Sequence, residues 1–174
     1  MTKIGILSDT HDDLNNVREA IKLFNDVCVK YVIHAGDYVF PGLILEFRNL
    51  KPSIKLIGVL GNNDGESIGI LNNFMKVNGD LMGTFGELKI DGLLIGIYHG
   101  TNNTLKTALI NSHYYDVFIC GHTHIKDTTR IGKTQILNPG STHPQLQNDI
   151  NLKNTYPAVI VFDTITKEAL LCKI

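Results

Sequence analysis

The chain has 174 residues, 43% of them apolar, and a formal net charge of −1 with neither half basic. That is enough for one domain, residues 1–174, with a sizeable core; it excludes a basic surface that would recruit a nucleic acid, and no apolar run is long enough to span a membrane. Cys28, Cys120 and Cys172 are widely spaced with no CxxC, and Asp9 arrives too early for a signal peptide's apolar core, so a cytoplasmic location is expected.

In chain order, Ile4–Ser8 reads as a strand. A helix follows over Asp13–Val27, with Leu14, Val17, Ile21 and Phe24 at helical spacing and Asp12 or Asp13 as its cap. Tyr31–His34 is the next strand, Pro41–Leu50 a second helix with proline in its first turn, and Ile54–Leu60 a strand buried on both faces. Ser67–Met75 is a short helix. Thr84–Asp91 and Leu93–Tyr98 form a hairpin about Asp91-Gly92, a strong turn signal. Thr104–Ser112 is helical and Asp116–Cys120 a strand. Lys126–Ile131 pairs with Thr134–Leu137, and Ala158–Asp163 with Glu168–Cys172. Sequential β-α units followed by antiparallel strands predict an α/β fold: two mixed β-sheets packed face to face with flanking helices, a four-layer αββα sandwich. Gln145–Asn154 is polar and unpatterned, a loop.

Five short motifs stand at the ends of the apolar runs: Asp9-Thr10-His11, Gly36-Asp37, Gly61-Asn62-Asn63-Asp64, His99-Gly100 and Gly121-His122-Thr123-His124. Each is weak alone, because Asp near a helix start is usually a cap and GNND is usually a polar turn. Together they hold seven metal-ligand side chains: Asp9, His11, Asp37, Asn62, His99, His122 and His124. Clustering at strand ends is what a crevice at the carboxyl edge of a sheet requires. Carboxylate and amide oxygens mixed with imidazoles suit a pair of divalent first-row metals better than one structural zinc, so the chain reads as a two-metal hydrolase.

The order D-x-H, GD, GN-x-D, a later His and GHxH resembles the calcineurin-like metallophosphoesterases, and within them the small prokaryotic metallophosphodiesterases, which are similar in turn to the retromer scaffold subunit. The resemblance runs from about residue 3 to residue 165 and includes the turn Asn138-Pro139-Gly140-Ser141. It implies two divalent ions, manganese, nickel, iron or zinc, about 3.5–4 Å apart. Asp9, His11 and His124 would hold one ion, Asn62, His99 and His122 the other, and Asp37 would bridge them. The implied nucleophile is a bridging hydroxide, with Asp37, Asn62 and His99 at the reacting centre and Asn62, Asn63 and His99 facing the substrate, a small phosphodiester.

Two departures bear on the chemistry. The larger relatives have a histidine after the Asn of their GNH motif, positioned to protonate the leaving oxygen; here Asn63 cannot act as an acid, and Asp64 lacks the partner it would orient. Where small members often carry HGH, this chain has His99-Gly100-Thr101. Both favour diesters with good leaving groups. Among the other histidines, His34 reads as a core or supporting residue, His113 as an exposed residue closing a helix, and His143 as a candidate to approach the site from a loop. A metal-binding interaction scaffold of the same fold is the alternative; a nuclease is disfavoured by the balanced charge. A homo-oligomer stays open.

Overall fold

The apolar runs that end in the motifs are strands, and their carboxyl ends gather on one rim. The computed structural model describes residues 2–146 and 156–174. Its first sheet has six strands in the order β11-β10-β1-β2-β3-β4, and its second has five in the order β5-β6-β7-β9-β8. In the first sheet β1 (Lys3–Leu7), β2 (Tyr31–His34), β3 (Lys55–Gly58) and β4 (Asp80–Leu81) run parallel. The hairpin of β10 (Ala158–Asp163) and β11 (Ala169–Lys173) adds to them antiparallel to β1. In the second sheet β6 (Leu93–Tyr98), β7 (Val117–Ile119) and β9 (Thr134–Leu137) are parallel, flanked by antiparallel β5 (Phe85–Ile90) and β8 (Arg130–Ile131).

Strand alternation sorts the core into layers. Ile4, Ile6, Ile33, Ile57 and Ile160 of the first sheet meet Ile95, Ile97, Val117, Ile119 and Leu137 of the second, all buried. The opposite face of the first sheet packs Leu7 and Val32 against Val17, Ile21 and Phe24 of α1 (Leu14–Asp26) and Ile70 and Phe74 of α2 (Ser67–Lys76). Beyond the second sheet, Phe118 and Ile136 meet Ile110 of α3 (Asn103–Asn111). The result is the four-layer αββα sandwich with two mixed sheets. Among the described residues no helix is long and apolar enough to cross a membrane.

Several elements differ from expectation in instructive ways. The helix expected over Pro41–Leu50 is a 3₁₀ helix, Pro41–Asn49. Ile44, Phe47 and Leu50 recur every three residues and are all buried, and a three-residue turn stacks such positions on one face. Asp13 caps α1 by accepting from Asn16 N, while Asp12 Oδ1 accepts from Phe40 N at 2.7 Å. The strand expected from Lys126 shrinks to Arg130–Ile131, leaving Asp127 in a single bridge with Asn138. β4, only two residues long, carries no pattern a sequence could show. The Asp91-Gly92 turn has positive φ at both residues (49° and 82°), the geometry a two-residue hairpin needs. Of the loop expected at Gln145–Asn154, Gln145 and Leu146 belong to a short 3₁₀ turn and the rest lies outside the described residues.

One carboxylate ties the rim of the first sheet together. Buried Asp64 accepts from four backbone amides: Oδ2 from Asp37 N (2.9 Å) and Gly61 N (2.7 Å), Oδ1 from Tyr38 N (2.7 Å) and Val39 N (2.9 Å). The loops after β2 and β3 are thereby locked to each other. An asparagine here keeps the shape but turns an NH₂ group toward two N–H donors. With charge-assisted bonds worth about 1.5–3 kcal/mol each, Asp64→Asn is expected to destabilise the metal-free protein by about 2–4 kcal/mol in urea unfolding. A loss below about 0.5 kcal/mol would mean that the clamp contributes nothing to folding.

Candidate metal centre

Each motif begins one to three residues beyond a strand, where the chain turns back over the rim. The turns are cross-linked: Asp9 N donates to Gly36 O (3.0 Å), Thr10 N to Asp37 O (3.1 Å) and Gly121 N to His99 O (2.9 Å). Asp9 (φ 53°), His11 (40°), Asp37 (61°), His122 (70°) and His124 (58°) all sit in the left-handed region. For residues with a Cβ that conformation costs about 1–2 kcal/mol each. Strain of this kind persists only where surrounding contacts over-determine it. Here it aims five side chains inward from tight loops.

Two glycines make the close approach feasible. A Cβ at Gly61 would overlap Asp37 Oδ1, and one at Gly121 would overlap Ser8 Oγ and Asp9 Oδ2. Side chain at either position would push a carboxylate out of place.

The imidazoles are oriented from behind. His99 is fully buried, and its Nδ1–H donates to Ala35 O at 2.8 Å. His124 Nδ1–H donates to Leu146 O at 2.7 Å. A carbonyl only accepts, so in both rings Nδ1 carries a proton, and in the neutral ring Nε2 carries the lone pair. His99 Nε2 lies 3.3 Å from Asp37 Oδ2 and 3.8 Å from Asp9 Oδ1; His124 Nε2 lies 3.2 Å from Asp9 Oδ1. His11 Nε2 is 3.7 Å from Asp37 Oδ2. The Nε2 atoms of His11 and His99 are buried with no hydrogen-bond partner among the described residues. Ligand atoms of Asp9, His11 and His124, and of Asp9, Asp37 and His99, form two groups whose members lie within 4.8 Å of one another.

Lone pairs facing carboxylate oxygens in a buried space repel unless positive charge lies between them. The titration behaviour reports the same tension. Burial works against the charged form of His99, yet Asp37 and Asp9 outweigh it and raise its pKa. Burial also opposes ionisation of Asp37, but the neighbouring His99 imidazole and the bonds from Asn63 hold its carboxyl well below the usual range. Asp9 raises His124, whereas burial lowers His11 and His122. An unpartnered buried nitrogen, a ring fixed by a carbonyl at its far side and a carboxylate opposite are what a divalent cation takes as ligands. The residues fit a metal.

The sequence-derived residues take distinct places. Asp9, His11, Asp37, His99 and His124 form the compact groups. His122 stands beside them, its ring 5.2 Å from that of His99 and its N–H donating to Asp9. Asn62 lies exposed at the rim with Oδ1 accepting from Thr101 Oγ1 at 3.3 Å. The Asn63 carboxamide is turned onto Asp37. His34 is fully buried, with Nδ1 accepting from Gly36 N and Nε2 3.2 Å from Thr10 Oγ1; it supports the loops from beneath. His113 is exposed after α3, and His143 lies within electrostatic reach of His11.

The sequence assigned no contact to the other supports. Ser8 Oγ donates to Asp9 Oδ2 at 2.6 Å and Ser141 Oγ to Asp9 O at 2.7 Å. Asn138 Nδ2 donates to Gly121 O and Thr123 Oγ1. The Asn138–Ser141 turn thus braces both the first and the last motif, and its presence in the sequence was the only signal for that work.

Known proteins similar to this chain identify its family. The family model described as the calcineurin-like phosphoesterase superfamily domain matches residues 2–164. A phosphodiesterase of Methanocaldococcus jannaschii is 38% identical over 167 residues, covering 95% of each chain. A probable metallophosphoesterase of Methanothermobacter thermautotrophicus is 30% identical, over 82% of this chain and 79% of its own. Among solved structures, an archaeal phosphodiesterase superposes with a TM-score of 0.87 at 35% identity, covering 99% of this chain and all of the other. Vps29 of Chaetomium thermophilum shares the fold, with a TM-score of 0.70 at 16% identity over 100% of this chain and 97% of its own. The chain belongs to the calcineurin-like phosphoesterase superfamily.

Proposed function

We propose that the chain is a single-domain, metal-dependent phosphodiesterase of the cytoplasm that hydrolyses small phosphodiesters with two divalent ions, drawn from manganese, nickel, iron or zinc. One observation carries the reading: the Nε2 atoms of His11 and His99, buried and without a hydrogen-bond partner among the described residues, face carboxylate oxygens of Asp37 and Asp9 across gaps of 3.3–3.8 Å. The relatives named phosphodiesterases supply the reaction class.

Asp9, His11 and His124 would hold one ion, and His99, His122 and Asn62 the other, with Asp37 between them. When bound, such a pair neutralises charge on the phosphoryl oxygens and acidifies a water for in-line attack. The chain's own residues keep this arrangement rigid. Ser8 and Ser141 fix Asp9, Asp64 fixes the Asp37 loop, and the Ala35 and Leu146 carbonyls set the tautomers of His99 and His124. Asn63, an amide, has no proton to give to a departing oxygen. A diester suits this centre better than a monoester, because it carries one negative charge fewer and an activated arm departs unaided. The balanced net charge of −1 fits a small substrate rather than a polyanion.

Asp37→Asn keeps shape and hydrogen-bonding capacity while removing the charge that holds two cations together. Its turnover of bis-p-nitrophenyl phosphate is expected to fall by more than about 100-fold, beyond the roughly 10–100-fold that changes at supporting positions cost, with an unchanged circular dichroism spectrum. Retention of activity within about tenfold would rule out a bridging role. Leaving-group dependence is a second test. With no acid at position 63, an aryl diester should react at least about 100-fold faster than an alkyl ester under the same conditions, since a positioned acid is worth about 10²–10⁴ for poor leaving groups. Similar rates in a chemically limited step would show that some residue delivers a proton.

A further inference from the structure

We propose that Asn63 is a positioning residue for Asp37, gripping both oxygens of that carboxylate so that one lone pair points at the His11 and His99 nitrogens, and that it does not contact the substrate. The inference rests on the two-metal reading above. Asn63 N donates to Asp37 Oδ1 at 2.9 Å, and Asn63 Nδ2 donates to Asp37 Oδ2 at 2.7 Å. Oδ2 is the oxygen nearest the imidazoles, 3.3 Å from His99 Nε2 and 3.7 Å from His11 Nε2.

The geometry has a chemical consequence. A carboxylate oxygen offers two lone pairs, and a free carboxylate swings between several ways of presenting them. The carboxamide occupies one lone pair of Oδ2 and leaves the other directed into the gap where a cation would lie. Its backbone N–H holds the remaining oxygen, so rotation about the Cβ–Cγ bond of Asp37 is blocked from one side by a single residue. Asp37 itself has a left-handed φ of 61°, and the Asp64 clamp fixes its backbone. Asn63 completes the set by fixing its head. At the position where the larger relatives carry a proton-donating histidine, this chain has a donor committed to the metal carboxylate.

The side-chain bond and the backbone bond can be separated, because only the former depends on residue type. Asn63 is exposed, so Asn63→Ala and the near-isosteric Asn63→Leu should fold and lose Nδ2 alone. Calorimetric titration of the metal-stripped full chain with Mn²⁺ should show affinity weakened by about 10–100-fold in both variants, the range typical of lost supporting bonds at metal sites. Without metal both variants should still unfold in a single cooperative thermal transition, its midpoint lowered only by the loss of one hydrogen bond. With bis-p-nitrophenyl phosphate, KM at saturating Mn²⁺ should be unchanged, and the rate should return to within about tenfold of the parent as Mn²⁺ saturates. Parent-like Mn²⁺ affinity in either variant would overturn the proposal, as would a raised KM with parent-like affinity, the signature of a substrate contact. A parent that neither binds Mn²⁺ nor cleaves the diester would instead remove the function proposed above. A parent that does both, beside variants that match its Mn²⁺ affinity, would remove only the role of Asn63.

Discussion

Two buried carboxylates, Asp9 and Asp37, share one small space with imidazole nitrogens whose lone pairs face them. That uncompensated arrangement is the constraint on which the rest of the molecule depends. Protons on the histidines relieve it in part, which is why the Asp37 and Asp9 charges lift the pKa of His99 against the effect of burial. Divalent cations relieve it more fully, since each can accept several of these lone pairs at once. In water such groups would separate; the fold keeps them together, in an arrangement that suits a cation.

Holding them together needs a scaffold stiff enough to resist both charge repulsion and backbone strain. Parallel strands supply it, because the carboxyl ends of β1, β2 and β3 in one sheet and of β6 and β7 in the other all open onto the same rim. The loops are then pinned by bonds that come from behind. Asp64 gathers four amides, Ser141 reaches the Asp9 carbonyl from a turn more than a hundred residues away, and Asn138 holds the last motif. Glycine at positions 61 and 121 leaves room for the carboxylates to approach the backbone. Left-handed φ values at five of the candidate ligands show how much local preference is overridden.

The parts of this design that were legible in the sequence are those with a local signature. Apolar runs ending in Asp, Asn or His marked the strands and their rim, and Asp91-Gly92 marked its hairpin. His34, lying inside an apolar strand, was readable as a buried support. What escaped depends on contacts between distant residues. Asp64 reads as the tail of a polar turn until the loop after β2 is laid beside it. Asn63 is separated from Asp37 by 26 positions, and nothing in GNND says which way its carboxamide faces. The 3₁₀ geometry of Pro41–Asn49 was hidden because Leu43, Ile44 and Phe47 fit a period of three or of three-and-a-half equally well over so short a stretch.

The central claim is that the gap between these carboxylates and imidazoles is a cation site. The most direct measurement is an anomalous-difference map from a crystal equilibrated with Mn²⁺ and recorded at the manganese edge. The account predicts two peaks, one bonded to Asp9, His11 and His124 and one to His99, His122 and Asn62, with the Asp37 carboxylate between them. Absence of manganese density between Asp37 and the His99 ring, in a crystal that binds Mn²⁺ elsewhere, would contradict it.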